Sequence, residues 1–229
     1  MSKSEIIRFL ILRSIGNFLV LFAIFGVLST FGPVLYYEAL FRIVNIRGIH
    51  YKVVGSSLDS RSTLGKRSIG FADILAGAKE QILMPIDTQF SILIPKIGAN
   101  AKVYPNIDPS DPNIFLPFLR SGVAHARGTV FPGQNGSIYL FAHSTDNFWN
   151  VGRYNALFYL IKDLGPGDEV VIFFQDKRYN YVVSQSRVVE GDDISYITEA
   201  QEGEERLILQ TCWPPGTTWK RLLVFARPK

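Results

Sequence analysis

Between Ser14 and Tyr37 the chain carries no charged residue, and Leu, Phe, Ile and Val dominate the run. A helix needs about 20 consecutive apolar residues to cross the hydrocarbon core of a bilayer. The run is apolar on every side, whereas a surface helix of a soluble domain confines its apolar residues to one stripe. A cleavable signal would have a shorter apolar core and a small-x-small site, and neither is found here. Lys3, Arg8 and Arg13 precede the run and Tyr36 and Tyr37 close it, an arrangement typical of membrane interfaces. The sequence therefore predicts an uncleaved transmembrane anchor over residues 14–37 behind a short tail, 1–13. Arg42, Arg47 and Lys52 follow directly, so basic residues flank both ends and do not orient the anchor by themselves.

The pattern then changes twice. Residues 38–83 include GSSLDSRSTLGKRSIG, polar and rich in Gly and Ser, which reads as a stalk or linker, with a short helix expected over Phe71 to Leu83. From Met84 onward, short runs of strand formers alternate with Gly, Pro and Asp. Strands are expected at Phe90–Ile94, Val103–Tyr104, Val123–His125, Ser137–Ala142, Glu169–Phe174, Tyr179–Val189, Arg206–Thr211 and Arg221–Ala226. GPGD at 165–168 reads as a turn, and Gln175–Asp176–Lys177–Arg178 as the return of a hairpin. Brief helices are expected near Phe115–Leu119 and Ala156–Leu164. Many short strands with turn signals between them indicate a mainly β barrel or sandwich over residues 84–229.

Composition narrows the chemistry. With 229 residues and 47% hydrophobic content, the chain can bury a full core in its C-terminal part. The net charge of +4 is spread out, without the Lys/Arg cluster interleaved with aromatics that tracks a phosphate backbone, so nucleic acid is not an expected partner. A single cysteine, Cys212, excludes an intramolecular disulfide and a multi-cysteine metal site. No cofactor or metal is expected.

Cys212 stands at the end of an apolar strand run, LILQTCW, and Arg221 opens the next run, LLVFA. Only a few per cent of an ordinary thiol, with a pKa of about 8.5, is thiolate near neutrality. A nearby imidazole and the permanent charge of an arginine would each favour the thiolate. Three histidines are present. His50 lies in the basic, irregular stalk and reads as a surface residue. His143 ends the run SIYLFAH before the polar turn STDN, a strand-end placement like that of Cys212. His125, in SGVAHARGT, reads as a satisfied polar group or a supporting residue, so His143 is the preferred base. Asp146 and Asn147 are candidates to orient the imidazole, although polar turns contain such residues in any case.

Taken together these segments resemble the sortases, membrane-anchored cysteine transpeptidases of the bacterial surface. The likeness rests on IPKIGANAKVYP, on GTVFPGQNGSIYLFAHS leading to His143, on Asn155-Ala156-Leu157-Phe158 with the later GPGD, on LILQTCW, and on Arg221 at the head of the last strand. It covers roughly Ile86 to the C-terminus. One departure is Ile208, which stands where the family signature Thr-Leu-x-Thr-Cys begins with Thr. Another is WPPGTTW, a bulky and stiff connection between Cys212 and Arg221. The resemblance implies a closed eight-stranded β-barrel with short helices and an N-terminal transmembrane helix.

It also implies a two-step acyl transfer, with Cys212 as nucleophile, His143 as acid and base, Arg221 holding the oxyanion or substrate backbone, and Thr211 contacting substrate. The implied partners are a sorting-signal peptide of a surface protein, an amine acceptor such as a cell-wall precursor or pilin lysine, and the lipid bilayer. Family topology puts the N-terminus inside and the catalytic domain outside the cell. Two other readings share these residues: a membrane-tethered cysteine peptidase that releases the acyl group to water, and a non-catalytic β-barrel binding module with Cys212 structural.

Overall fold

The computed structural model describes residues 3–46, 50–53, 80–144, 158–215 and 217–229. The chain divides into two compact units, Met1–Leu40 and Phe41–Lys229. The first is built on helix α1, Lys3–Ile46. Its segment Ser4–Leu28 is long and apolar enough to cross a membrane, and none of it is buried within the protein. The helical pattern begins before the uncharged run because Arg8 and Arg13 are good helix formers and do not interrupt the backbone ladder.

The second unit is a closed eight-stranded barrel with short helices, as the family resemblance implied. Its strands are β3 (Phe90–Ile94), β4 (Ala99–Ile107), β5 (Val123–Ala126), β6 (Ser137–Phe141), β7 (Glu169–Phe174), β8 (Lys177–Glu190), β9 (Arg206–Trp213) and β10 (Lys220–Pro228). Around the barrel the order is β10-β8-β7-β3-β4-β5-β6-β9, closing on β10. The pairs β4/β5 and β6/β9 are parallel, and the other pairs are antiparallel. All eight expected strands are present, and several run longer than the sequence suggested. β4 is the clearest case. Pro105 has no N–H to give the ladder, yet the strand resumes beyond it: pairing with β5 slips between Tyr104 and Ile107, and Asn106 takes a positive φ of 56°. A bulge of this kind absorbs a residue that cannot donate.

Turn chemistry follows the sequence closely. Gln175 and Asp176 both have positive φ, 51° and 62°, and join Phe174 directly to its partner Lys177. That is the geometry of a tight hairpin turn, in which Asx-type residues tolerate the left-handed region. In GPGD, Asp168 N–H closes the turn on the Gly165 carbonyl at 3.1 Å.

Two strands outside the barrel were not expected. β1 (His50–Val53) and β2 (Glu80–Leu83) pair in parallel as a separate two-stranded sheet. The last four residues of the segment expected to be helical, 71–83, are thus a strand; residues 71–79 and the rest of the Gly/Ser-rich stretch lie outside the described residues. Val53 and Leu83 pack on Leu93, Val171 and Phe173, covering the outer side of β3 and β7. That contact gives the segment an apolar seat that local sequence could not reveal. The helix near Phe115–Leu119 exists as α2, Pro112–Leu119, capped by the Asp111 carboxylate on Asn113 N–H. The expected 156–164 helix appears, within the described residues, as a 3-10 turn over Phe158–Asp163. A further short helix, α3, spans Ser195–Thr198.

Alternation along the strands sorts side chains into two sets. Those facing the barrel interior, among them Ile138, Leu140, Leu207, Leu209, Leu222 and Val224, form the main core. Those facing outward on β6, β9 and β10, namely Tyr139, Phe141, Ile208, Leu223 and Phe225, form a second cluster roofed by side chains of α2 and α3. The site lies at one edge of that second face.

Candidate active site

Strands β9 and β10 put Cys212 directly opposite Arg221. Opposed residues in an antiparallel pair have Cβ atoms about 5 Å apart and point to the same side of the sheet. On the other flank of β9, each residue of β6 pairs with the one 69 positions on, from Ser137↔Arg206 to Phe141↔Gln210. The ladder runs one step further, because Ala142 N–H donates to the Gln210 carbonyl at 3.1 Å. The same offset carries His143 to the level of Cys212. His143, Cys212 and Arg221 therefore form one row across three neighbouring strands, spanning about 10 Å at the usual inter-strand spacing. All three are half-buried, at the open edge of the outer apolar face.

Two opposing effects act on the thiol. Burial pushes the Cys212 pKa up, and the Arg221 charge pulls it down by less, so the net direction is upward. The arginine field expected to favour the thiolate is present, but desolvation outweighs it. A proton acceptor beside the thiol is thus required for reactivity near neutrality. The Arg221 guanidinium is steadied from below: its Nη1 donates to the carbonyls of Thr218 at 2.8 Å and Lys220 at 3.0 Å.

Thr211 is turned the other way. It is 1% exposed, shares the interior parity of Leu207 and Leu209, and its hydroxyl donates to the Ala142 carbonyl at 3.2 Å. This bond ties β9 to the segment carrying His143, one residue before each reactive group. Ile208, at the departure from the family signature, is fully buried among apolar neighbours on the outer face. A hydroxyl there would have to find a partner inside that cluster.

His125 lies on the opposite side of the barrel wall. It is 0% exposed and follows the interior parity of Val123, stacked on Phe131 with ring centroids 4.5 Å apart. Its Nδ1 accepts from Asn106 N–H at 3.3 Å, the donor that the β4 bulge releases. Its Nε2–H faces the Val130 carbonyl at 3.0 Å and the Thr129 oxygen at 3.0 Å; Thr129 in turn donates to the Ala126 carbonyl. Burial lowers its pKa, so it is held as the neutral imidazole. The side chain of His50 and residues Asp146 and Asn147 lie outside what the structure describes. Among the described residues no group of three or more His, Cys, Asp or Glu side chains is gathered to hold a metal ion.

Two residues of this face carried no signal in the linear reading. Tyr139 is 3% exposed, and its hydroxyl donates to Gln210 Oε1 at 3.4 Å. Gln210 could have been noticed, since two residues before Cys212 on a strand means the same face. Tyr139 could not, because only the β6/β9 register brings it near.

The fold agrees with what comparison with known proteins finds. Residues 92–229 match the sortase domain family. Over 137 residues the chain is 30% identical to sortase D of Bacillus subtilis (strain 168), a match covering 58% of this chain and 60% of that relative's length. Among solved structures, sortase C1 of Streptococcus agalactiae is similar with a TM-score of 0.51 and 25% identity, over 63% of this chain and 69% of that one. Sortase C of Clostridium perfringens, solved with the C-terminal cell wall sorting motif, is similar with a TM-score of 0.50 and 28% identity, over 61% and 69%. The match to the family covers more than half of the chain, and the closed eight-stranded barrel is shared with these structures: the chain belongs to the sortase family.

Proposed function

We propose that this protein is a membrane-anchored cysteine transpeptidase that cleaves a C-terminal sorting signal of surface proteins and transfers the acyl part to an amine. The observation that carries this reading is the Cys212–Arg221 pair on β9 and β10, to whose level the β6/β9 register, continued two residues past Phe141, brings His143. In the first step the Cys212 sulfur attacks the scissile carbonyl carbon and gives up its proton to His143. A thioester forms as the C–N bond breaks, and His143 delivers the proton to the departing amine. In the second step the acceptor amine attacks the thioester, the C–S bond breaks, and the proton released by the nitrogen returns to Cys212 by way of His143. Arg221 stabilises the negative oxygen in both tetrahedral states. Thr211 acts as a positioning residue, holding His143's segment against β9.

The proposed organisation is a tail at 1–13, a transmembrane anchor over 14–37, a stalk at 38–83 and the catalytic domain over 84–229, in a single pass with the domain outside the cell. The amine would come from a cell-wall precursor or a pilin lysine. The peptidase reading uses the same thioester with water as acceptor. Full-length protein in detergent, given a sorting-signal peptide and rising concentrations of a competing amine, separates the two. Transfer product should grow with amine, whereas hydrolysed product alone at high amine would leave a peptidase. Cleavage that survives Cys212→Ala would sink both, whereas a wild type that binds the peptide and does not cleave it would leave the binding module.

A further inference from the structure

The outer face that carries the catalytic row continues inward by strand register. The first row is His143, Cys212, Arg221 and, on β8, Val189; the next is Phe141, Gln210, Leu223 and Arg187; the third is Tyr139, Ile208, Phe225 and Gln185. Phe141, Leu223, Ile208 and Phe225 are all buried. Directly behind the thiol, Phe141 and Leu223 are covered by the α2 and α3 cluster, Gln210 between them is half-buried, and Arg187 at the end of that row is exposed and donates to the Tyr196 hydroxyl.

The neighbour of Gln210 fixes its orientation. A phenol can donate one proton, and Tyr139 gives it to Gln210 Oε1. Burial raises the Tyr139 pKa well above its ordinary value, so the hydroxyl stays a donor throughout the physiological range. With the amide oxygen turned to Tyr139, the two N–H donors of the –NH2 group turn away from it. They make no hydrogen bond among the described residues. A half-exposed amide with its acceptor occupied and both donors available presents donor character to whatever lies on this face.

Resting on the transpeptidase reading above, we infer that Gln210, oriented by Tyr139, is a specificity-determining residue that donates a hydrogen bond to the sorting peptide. Two residues of β-strand separate it from Cys212, about 7 Å along the strand. An extended peptide that runs along β9 with its attacked carbonyl at the sulfur and its N-terminal side toward Gln210 presents to Gln210 an acceptor on the residue two before the one attacked. That acceptor is a main-chain carbonyl or a polar side chain of that residue. A donor here favours a peptide with an acceptor at this place. A residue that offers none would leave the amide donors buried and unpaired.

The test uses full-length wild type, Gln210→Met and Tyr139→Phe against a library of five-residue sorting peptides, with Cys212 alkylation by iodoacetamide as a measure independent of peptide. For the peptide that wild type prefers, Gln210→Met should lose about ten-fold in kcat/KM, mostly through KM, consistent with one hydrogen bond. Tyr139→Phe should lose less, in the same direction, and alkylation should stay within two-fold for both. If the acceptor is the main-chain carbonyl, replacing it by a reduced CH2–NH linkage should abolish the difference between wild type and Gln210→Met. If it is a side chain, making that residue apolar should do so instead. A wild type that cleaves the library while Gln210→Met matches its rates and ranking overturns the assignment of Gln210 alone. A wild type that cleaves no member overturns the transpeptidase reading, and this inference with it.

Discussion

On the inner face of β9, Leu207, Leu209 and Thr211 are at most 1% exposed and close the barrel core. On the outer face of the same strand, Ile208 is fully buried, while Gln210 and Cys212 are half-buried. The two histidines beside this wall divide in the same way. His125 is on the inner side with both ring nitrogens engaged, and His143 is half-buried just past the end of β6, on the outer parity of Tyr139 and Phe141. The backbone is shared, so the difference is one of parity: a shift of one residue exchanges a sealed packing position for a reactive one. The inner face holds the strands in register, and the register is what aligns the outer row.

Substitutions on the two faces should therefore separate activity from stability. The largest effect is expected for Cys212→Ala and His143→Ala, which should reduce cleavage of a sorting peptide to background while thermal unfolding stays near wild type. A clear loss of fold in either variant would break the contrast. Arg221→Ala should lower kcat by about 10²–10³-fold, the range for removing one oxyanion partner. It also removes the charge that, among the described residues, lowers the Cys212 pKa. The pH profile of alkylation, which in wild type should still be rising above about pH 8.5, should move further upward; an unchanged profile would disconnect Arg221 from the thiol.

On the inner face the order reverses. Leu209→Ala should cost about 2–5 kcal/mol of stability, read by denaturant unfolding, because it empties a filled interior position. Thr211→Val keeps the shape but strips the donor from the Ala142 carbonyl. It should cost about 1 kcal/mol and lower turnover several-fold, with the alkylation rate little changed. Turnover equal to wild type would remove Thr211 from the positioning of His143.

The smallest effect concerns His125 and pH. Its folded pKa is depressed below the unfolded value of about 6.5. The unfolded chain therefore binds the proton first, and the stability that neutral His125 supports is present above pH 6.5 and lost as pH falls through the folded value. The stability difference between wild type and His125→Gln should shrink from pH 7.5 to pH 5. A difference independent of pH would mean that His125 is not buried as a neutral ring.

Much of this organisation is legible in the chain. Strand alternation from Phe90 onward, the GPGD turn and the hairpin return at Gln175–Asp176 are local effects, and each appears where the residues put it. The strand-end positions of His143, Cys212 and Arg221 are readable for the same reason. What could not be read depends on contacts distant in sequence. The strand at Glu80–Leu83 exists because Leu93, Val171 and Phe173 offer it an apolar surface. β4 passes Pro105 because His125 accepts the Asn106 N–H that the bulge releases. The buried position of Thr211 follows from its parity with Leu207 and Leu209 in the closed barrel.

The sequence by itself determined the apolar N-terminal segment, the eight strands and the three strand-end residues, because hydrophobic periodicity and turn chemistry act over a few residues. Only the tertiary structure decided which faces those residues share. The parallel β6/β9 pairing brings residues 69 positions apart to one level, and no local pattern specifies that offset. The same closure buries Cys212 enough to raise its pKa against the Arg221 charge, and it sets Tyr139 beside Gln210. Register, and the desolvation that follows from it, is a property of the closed barrel.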